Sequence, residues 1–251
     1  MKKIFLVALI AIATLSIGRP ASADLFLAGD IDGLPGFCAT DNNTICTYGV
    51  QLLDVNADPD VLELDTTTVG GLTVNGSIHT SIFGPPTNLL DSSSLSIINE
   101  LGGVGSVLVE ASISATDFVG PAATASTTGS GTWGLNSQGS STTYEYFVDG
   151  TNTQGGATGT DRPGILIDTF TDSAVTAIDS YSHNGGPFAI NMMSAFSMTL
   201  GFDLTLLDGD SLISRGQSSI ADVTAVPEPM TMLLVGAGLI GGGARLRRRK
   251  A

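Results

Sequence analysis

The chain has 251 residues, of which 24 are acidic and 10 basic. The basic ones crowd the ends: Lys2, Lys3 and Arg19 at the start, Arg245, Arg247, Arg248, Arg249 and Lys250 at the finish, with only Arg162 and Arg215 between Asp24 and Val226. That body sets two arginines against 23 acids, a formal charge of −21 without a single lysine. Such a surface excludes a nucleic-acid partner, because phosphate backbones are held through Lys and Arg contacts.

Residues 1–23 read as a cleavable N-terminal signal helix. Lys2 and Lys3 form its positive end, Ile4 to Gly18 its apolar run, and Ala21-Ser22-Ala23 an A-x-A site at which a signal peptidase cuts after Ala23. The fifteen apolar residues reach about 22 Å as a helix, short of the roughly 30 Å of a hydrocarbon core. Cleavage therefore fits better than a permanent anchor. An exported chain permits disulfides, and Cys38 and Cys46 lie close enough to close a small loop around "ATDNNTI". Two free thiols or half of a metal site are the other readings of the pair.

The body, residues 24–225, is long enough for one domain with a substantial core. Its apolar residues come in short alternating runs between Gly, Asp and Asn turns, which is a pattern of strands. "GLTVNGSIHTSIF" is one candidate. "SLSIINELGG" is ambiguous, since Ser94 could cap a short helix that carries Leu95, Ile98 and Leu101 on one face and stops at Gly102. "GSVLVEASISA" sets Val107, Val109, Ala111 and Ile113 against Glu110, Ser112 and Ser114. Residues 116–164 hold so much Ser, Thr, Gly and Ala that they predict long loops and polar edge strands, tacked down by Trp133. "TTYEYFVDG" and "GILIDTF" follow as further strands.

The clearest alternation runs through "FAINMMSAFSMTLGFDLTLL". Phe188, Ile190, Met192, Phe196, Met198, Leu200, Phe202, Leu204 and Leu206 fall on alternate positions, Ser194 being the exception. Gly201 marks a bulge or bend partway. No repeat of constant period is visible. The pattern predicts a mainly β fold, an antiparallel β-sandwich of jelly-roll type.

One acidic stretch resembles a calcium loop. In "DVNADPDVLELD", Asp54, Asn56, Asp58, Asp60 and Asp65 occupy positions 1, 3, 5, 7 and 12 of an EF-hand-like loop, and hard cations favour several oxygens from one turn. Pro59 stands where that motif needs Gly, the last ligand is Asp rather than the longer Glu, and no helix pair flanks it. The plainer reading is an acidic surface turn ahead of a strand. "GDIDG" (Asp30, Asp32) and "LLDGDS" (Asp208, Asp210) are weaker versions. Calcium is the one cofactor these acids suggest. For nucleophilic catalysis there is no G-x-S-x-G elbow and only two histidines, His79 and His183, so no enzyme activity is expected.

The last stretch, "AVPEPMTMLLVGAGLIGGGARLRRRK", contains glycines in G-x-G-x-x-G spacing. A dinucleotide loop needs a strand before it, a helix after it and an acid about twenty residues on; only ten residues follow Gly241. Instead three parts stand in order: Val226-Pro227-Glu228-Pro229, an apolar segment expected as a helix, and the basic cluster Arg245, Arg247, Arg248, Arg249 and Lys250, which the positive-inside rule holds in the cytoplasm. The apolar part is short and rich in Gly, which suits transient insertion in the inner membrane.

These residues resemble the PEP-CTERM sorting signal, with 226–251 as its extent. The resemblance implies recognition and processing by an exosortase of a Gram-negative bacterium, then attachment at the cell surface or release. Carriers of this tail are often tied to exopolysaccharide and biofilm, which makes exopolysaccharide a candidate partner. The leading expectation is a non-enzymatic surface or matrix protein. A carbohydrate-binding or calcium-binding adhesive module is the alternative, and would need a cleft with aromatic rings near the acidic loops. A secreted hydrolase is third.

Overall fold

The computed structural model describes residues 24–41, 46–83, 87–100, 105–134 and 137–221. The signal segment with Ala21 and Ala23, and the tail with Val226, Pro227, Glu228, Pro229 and the terminal basic cluster, lie outside the described residues. In chain order the strands begin with β1 (Leu25–Ile31), β2 (Leu34–Thr40), β3 (Val50–Gln51), β4 (Val61–Val69), β5 (Leu72–Phe83), β6 (Thr87–Asn99) and β7 (Val107–Phe118). They continue with β8 (Ala122–Trp133), β9 (Ser141–Asp149), β10 (Ile165–Ser173), β11 (Ser180–Met192), β12 (Phe196–Leu206) and β13 (Ser211–Ala221).

Two sheets form a sandwich. One has seven strands in the order β10-β9-β12-β7-β1-β2-β3, the other six in the order β11-β8-β13-β6-β5-β4. Neighbours are antiparallel except β2 and β3. From β10 onward consecutive strands alternate between the sheets, so β12 inserts between β7 and β9, and β13 between β6 and β8. This is the jelly-roll style of connection anticipated from the alternation. The inner faces meet in one core: Leu27, Val109, Ile113, Tyr146, Leu200 and Leu204 from one sheet, Leu72, Val74, Ile78 and Leu90 from the other, each at most 0% exposed. Burial of such side chains contributes about 1.5–3 kcal/mol apiece.

Three local expectations are corrected. The stretch from Ser94 is strand β6 rather than a helix, with β5 on one side and β13 on the other. Leu95, Ile97 and Asn99 point alternately inward there, and two ladders of backbone hydrogen bonds outweigh one capping serine. The Ser/Thr/Gly-rich β8 is an interior strand between β11 and β13. Its small residues make room for rings supplied by others: a Cβ at Gly129 would lie 2.6 Å from the Phe170 ring, and one at Gly131 2.5 Å from that of Tyr181. Trp133 does tack this region down, buried with its indole N–H on Asp172 Oδ2 at 2.9 Å.

Gly201 marks no bulge. The β12 register runs unbroken through it, against Glu145 on one side and Ser112 on the other, and the irregularity of β12 lies between Phe196 and Met198. The alternation from Phe188 to Leu206 belongs to two strands, and the break at Ser194 is where the chain crosses from one sheet to the other.

Candidate functional site

The outer face of the seven-stranded sheet is polar in sequence, yet Ser112, Ser114, Ser197 and Thr199 on it are at most 1% exposed. Residues 150–164, between β9 and β10, lie across it. Gly155 N donates to Ser114 Oγ (2.9 Å), Ser112 Oγ donates to the Asp161 carbonyl (2.8 Å), and Ser197 Oγ to the Thr153 carbonyl (2.7 Å). Approach is close enough that a Cβ at Gly159 would lie 2.0 Å from the Glu110 carbonyl oxygen, so this position requires glycine. Arg162 anchors the far end of the cover, its guanidinium paired with Glu145 and Asp203 at 2.5 Å each.

The near end of this cover meets the segment behind the disulfide. Cys38, in the second half of β2, is bonded to Cys46 as the spacing suggested. The bond delivers Tyr48 to β1, where its hydroxyl donates to Asp30 Oδ1 at 2.5 Å. Gly159 N donates to the same oxygen at 3.1 Å, so one carboxylate ties disulfide segment and cover loop together. Burial, then the Asp30 carboxylate, push the Tyr48 hydroxyl up to about 12; it stays protonated as a donor throughout the physiological range.

Between the two segments opens a cleft of about 400 Å³, lined by Phe26, Thr47, Tyr48 and Gln154, with Gly155 and Ala157. Gly156 brings the loop down on Phe26, since a Cβ there would lie 2.7 Å from the ring. Gln154 is held by its amide N–H groups, which donate to the Asp24 and Ser114 carbonyls at 3.2 and 3.1 Å. The result is two aromatic rings beside a hydroxyl and an amide, with Tyr48 and Gln154 held by hydrogen bonds of the fold itself. The sequence reading missed these residues; the one available signal was the rarity of aromatics, with a tyrosine two positions after a bonded cysteine.

The suspected calcium loop is built differently from the expectation. Asn56 N donates to Asp54 Oδ1 (3.0 Å), Asp58 N to Asn56 Oδ1 (2.9 Å), and Asp60 N to Asp58 Oδ1 (3.1 Å). Three successive Asx turns thus engage one oxygen each of Asp54, Asn56 and Asp58. Asp65 stands apart on β4, where its Oδ1 accepts from Thr66 N at 2.8 Å. Among the described residues no three Asp, Glu, His or Cys side chains are placed to hold one metal ion.

His183 finds an acid, but not in a catalytic order. Its Nε2 lies 2.7 Å from Asp168 Oδ2, and Thr127 Oγ1 donates to the same oxygen. The imidazole stacks on Phe170 with ring centres 4.3 Å apart. A nucleophilic relay runs hydroxyl to imidazole to carboxylate; here hydroxyl and imidazole both end on the carboxylate, and the group ties β10 of one sheet to β8 and β11 of the other.

Residues 225–249 match the PEP-CTERM protein-sorting motif. That motif marks an exported protein of Gram-negative bacteria that an exosortase processes at the membrane. No curated protein matches the chain. Among solved structures, a carbohydrate-binding module in complex with β-1,4-galactotriose is similar at 9% identity and a TM-score of 0.33, over 58% of this chain and 88% of that one. The N-terminal cellulose-binding domain of a Cellulomonas fimi β-1,4-glucanase is similar at 12% identity and a TM-score of 0.31, over 56% and 91%. The cleaved adhesin domain K3 of Lys-gingipain from Porphyromonas gingivalis follows at 9% and 0.32, over 52% and 75%. At these identities the likeness concerns the sandwich alone.

Proposed function

We propose that the chain is a non-catalytic cell-surface or extracellular-matrix protein that holds exopolysaccharide in the Phe26–Tyr48 cleft. In this reading a signal peptidase removes residues 1–23, the tail pauses the chain in the inner membrane, and an exosortase processes it for attachment or release. The cleft is the observation that carries the reading. A sugar ring offers one face of C–H groups and a rim of hydroxyls; two aromatic rings suit the face, and Thr47, Gln154 and exposed backbone suit the rim. The acidic body repels anionic polymers at long range, so the favoured ligand is a neutral glycan. A hydrolase is disfavoured by the arrangement at His183, where Thr127 has no imidazole to take its proton.

The test is retention on exopolysaccharide from the producing strain, measured by affinity electrophoresis. Tyr48→Ala and Phe26→Ala are expected to weaken retention about tenfold, a change worth about 1.4 kcal/mol, while Ile213→Ala, on the opposite sheet, leaves it unchanged. Equal retention of all three variants, or none by the wild type, would overturn the reading.

A further inference from the structure

The strongest unexplained chemistry lies at the turn from β12 to β13, away from the cleft. Asp210 there is 0% exposed. Its Oδ1 accepts from Ser211 N at 2.6 Å, whereas its Oδ2, though buried, has no hydrogen-bond partner. Asn99, at the end of β6, is likewise 0% exposed, and its Oδ1 is also buried without a partner. The two residues are neighbours. Asn99 N donates to the Asp210 carbonyl at 2.8 Å, and the Leu207 carbonyl accepts from both Asp210 N and Asn99 Nδ2, each at 3.1 Å.

A buried carboxylate with one hydrogen bond is costly unless something positive stands beside it. This body cannot supply that charge. Between Asp24 and Val226 it has no lysine and only two arginines. Arg162 is engaged by Glu145 and Asp203, and Arg215 by Asp91. His183 is engaged by Asp168, and His79 sits on β5 opposite Asp91 and Val61. No side chain of the body balances Asp210, so the balance is either a proton or a cation taken from solution.

We propose that Asp210 and Asn99 hold a hard metal cation, calcium in an extracellular setting, as a structural site between the ends of β6, β12 and β13. The two unpartnered donors are the right kind, one carboxylate oxygen and one amide oxygen, with water completing the shell of a hard cation. With one carboxylate the expected affinity is weak, on the order of 10⁻⁴–10⁻³ M as in extracellular calcium modules. The ion pins the turn where the chain passes from one sheet to the other. Sequence spacing pointed to Asp54–Asp65 instead because it counts acids; what distinguishes Asp210 and Asn99 is that both residues are 0% exposed, so bulk water does not reach the oxygens left without a donor.

Terbium, which takes calcium's oxygen ligands, tests this in the full chain purified in detergent. Trp133 is the only tryptophan, and it pairs with Leu212 two residues from Asp210, while Gly134 N donates to the Ser211 carbonyl at 2.8 Å. β4, beside the Asp54 loop, is four strands from β8, roughly 19 Å away. Excitation of Trp133 alone is expected to sensitise terbium emission that calcium displaces, and millimolar calcium to raise the melting temperature by several degrees over chelator. Asp210→Asn should lose both responses and, in chelator, melt no lower than wild type; Asp58→Asn should keep both. No sensitised emission in the wild type, or loss of the responses in Asp58→Asn with retention in Asp210→Asn, overturns the proposal. Should Asp210→Asn not fold, Asp210→Glu decides: it should change the calcium concentration that displaces terbium, and displacement identical to wild type overturns the proposal.

Discussion

Arg162 fills the space that a side chain at Gly201 would occupy: a Cβ on Gly201 would lie 2.3 Å from the arginine Nε. The guanidinium lies flat on β12 and joins Glu145 of β9 to Asp203 of β12, with its side chain 9% exposed. Arg162→Met strands two carboxylates and is expected to cost about 2–4 kcal/mol. Gly201→Ala forces the arginine away and should cost about 1–3 kcal/mol. Both act on one contact, so the double variant should lose less than the sum. Urea unfolding followed by Trp133 emission measures all three; additive losses would show that the two residues are independent.

Asp172 receives the Trp133 indole N–H from across the sandwich, and β10 is an edge strand. An inward carboxylate on such a strand tethers the edge as well as blunting it. Asp172→Ala leaves a buried donor unpaired and should destabilise by about 1–3 kcal/mol. Unchanged stability in the same unfolding experiment would mean that the indole finds another acceptor.

Much of this fold was legible in the sequence. The alternation in β7 and β12 named the core-facing residues, and the cysteine spacing named the disulfide. What misled was local reading of residues whose partners are distant. Ser94 offers a good helix cap, but β5 and β13 pair with its strand. Gly129 and Gly131 look like loop residues until Phe170 and Tyr181 arrive from other strands. Tyr48 and Gln154, more than a hundred positions apart, share a cleft only because the Cys38–Cys46 bond and the Arg162 anchor bring their segments onto one sheet.

Asp41 predicts a pH dependence. Burial pushes its carboxyl from 3.8 up to about 6, against the Leu25 N–H, which holds it down. The folded chain therefore binds this proton more readily than the unfolded one. The group's contribution is fully present below about pH 4 and is lost as pH rises through about 6. Asp41→Asn should melt a few degrees above wild type at about pH 7.5, with the difference gone near pH 4. A difference that grows on acidification would contradict the assignment.

The disulfide supports the cleft as well as the fold. Replacing Cys38 and Cys46 with Ser releases a short loop and should cost roughly 2–3 kcal/mol. It also frees the segment that presents Tyr48, so glycan retention should fall even at temperatures where the variant stays folded by Trp133 emission. Retention equal to wild type would show that the Tyr48–Asp30 bond positions the ring unaided.

Residues 225–249 set the protein's destination. Intact-mass spectrometry of the protein recovered from its own host tests that directly, because both ends and any attached group are read together. The predicted mass begins at Asp24 and lacks the basic cluster Arg245 to Lys250, and in cells without exosortase the cluster is retained on membrane-bound protein. A mature protein that keeps Arg245 to Lys250 in normal cells, or identical products with and without the exosortase, would contradict the account.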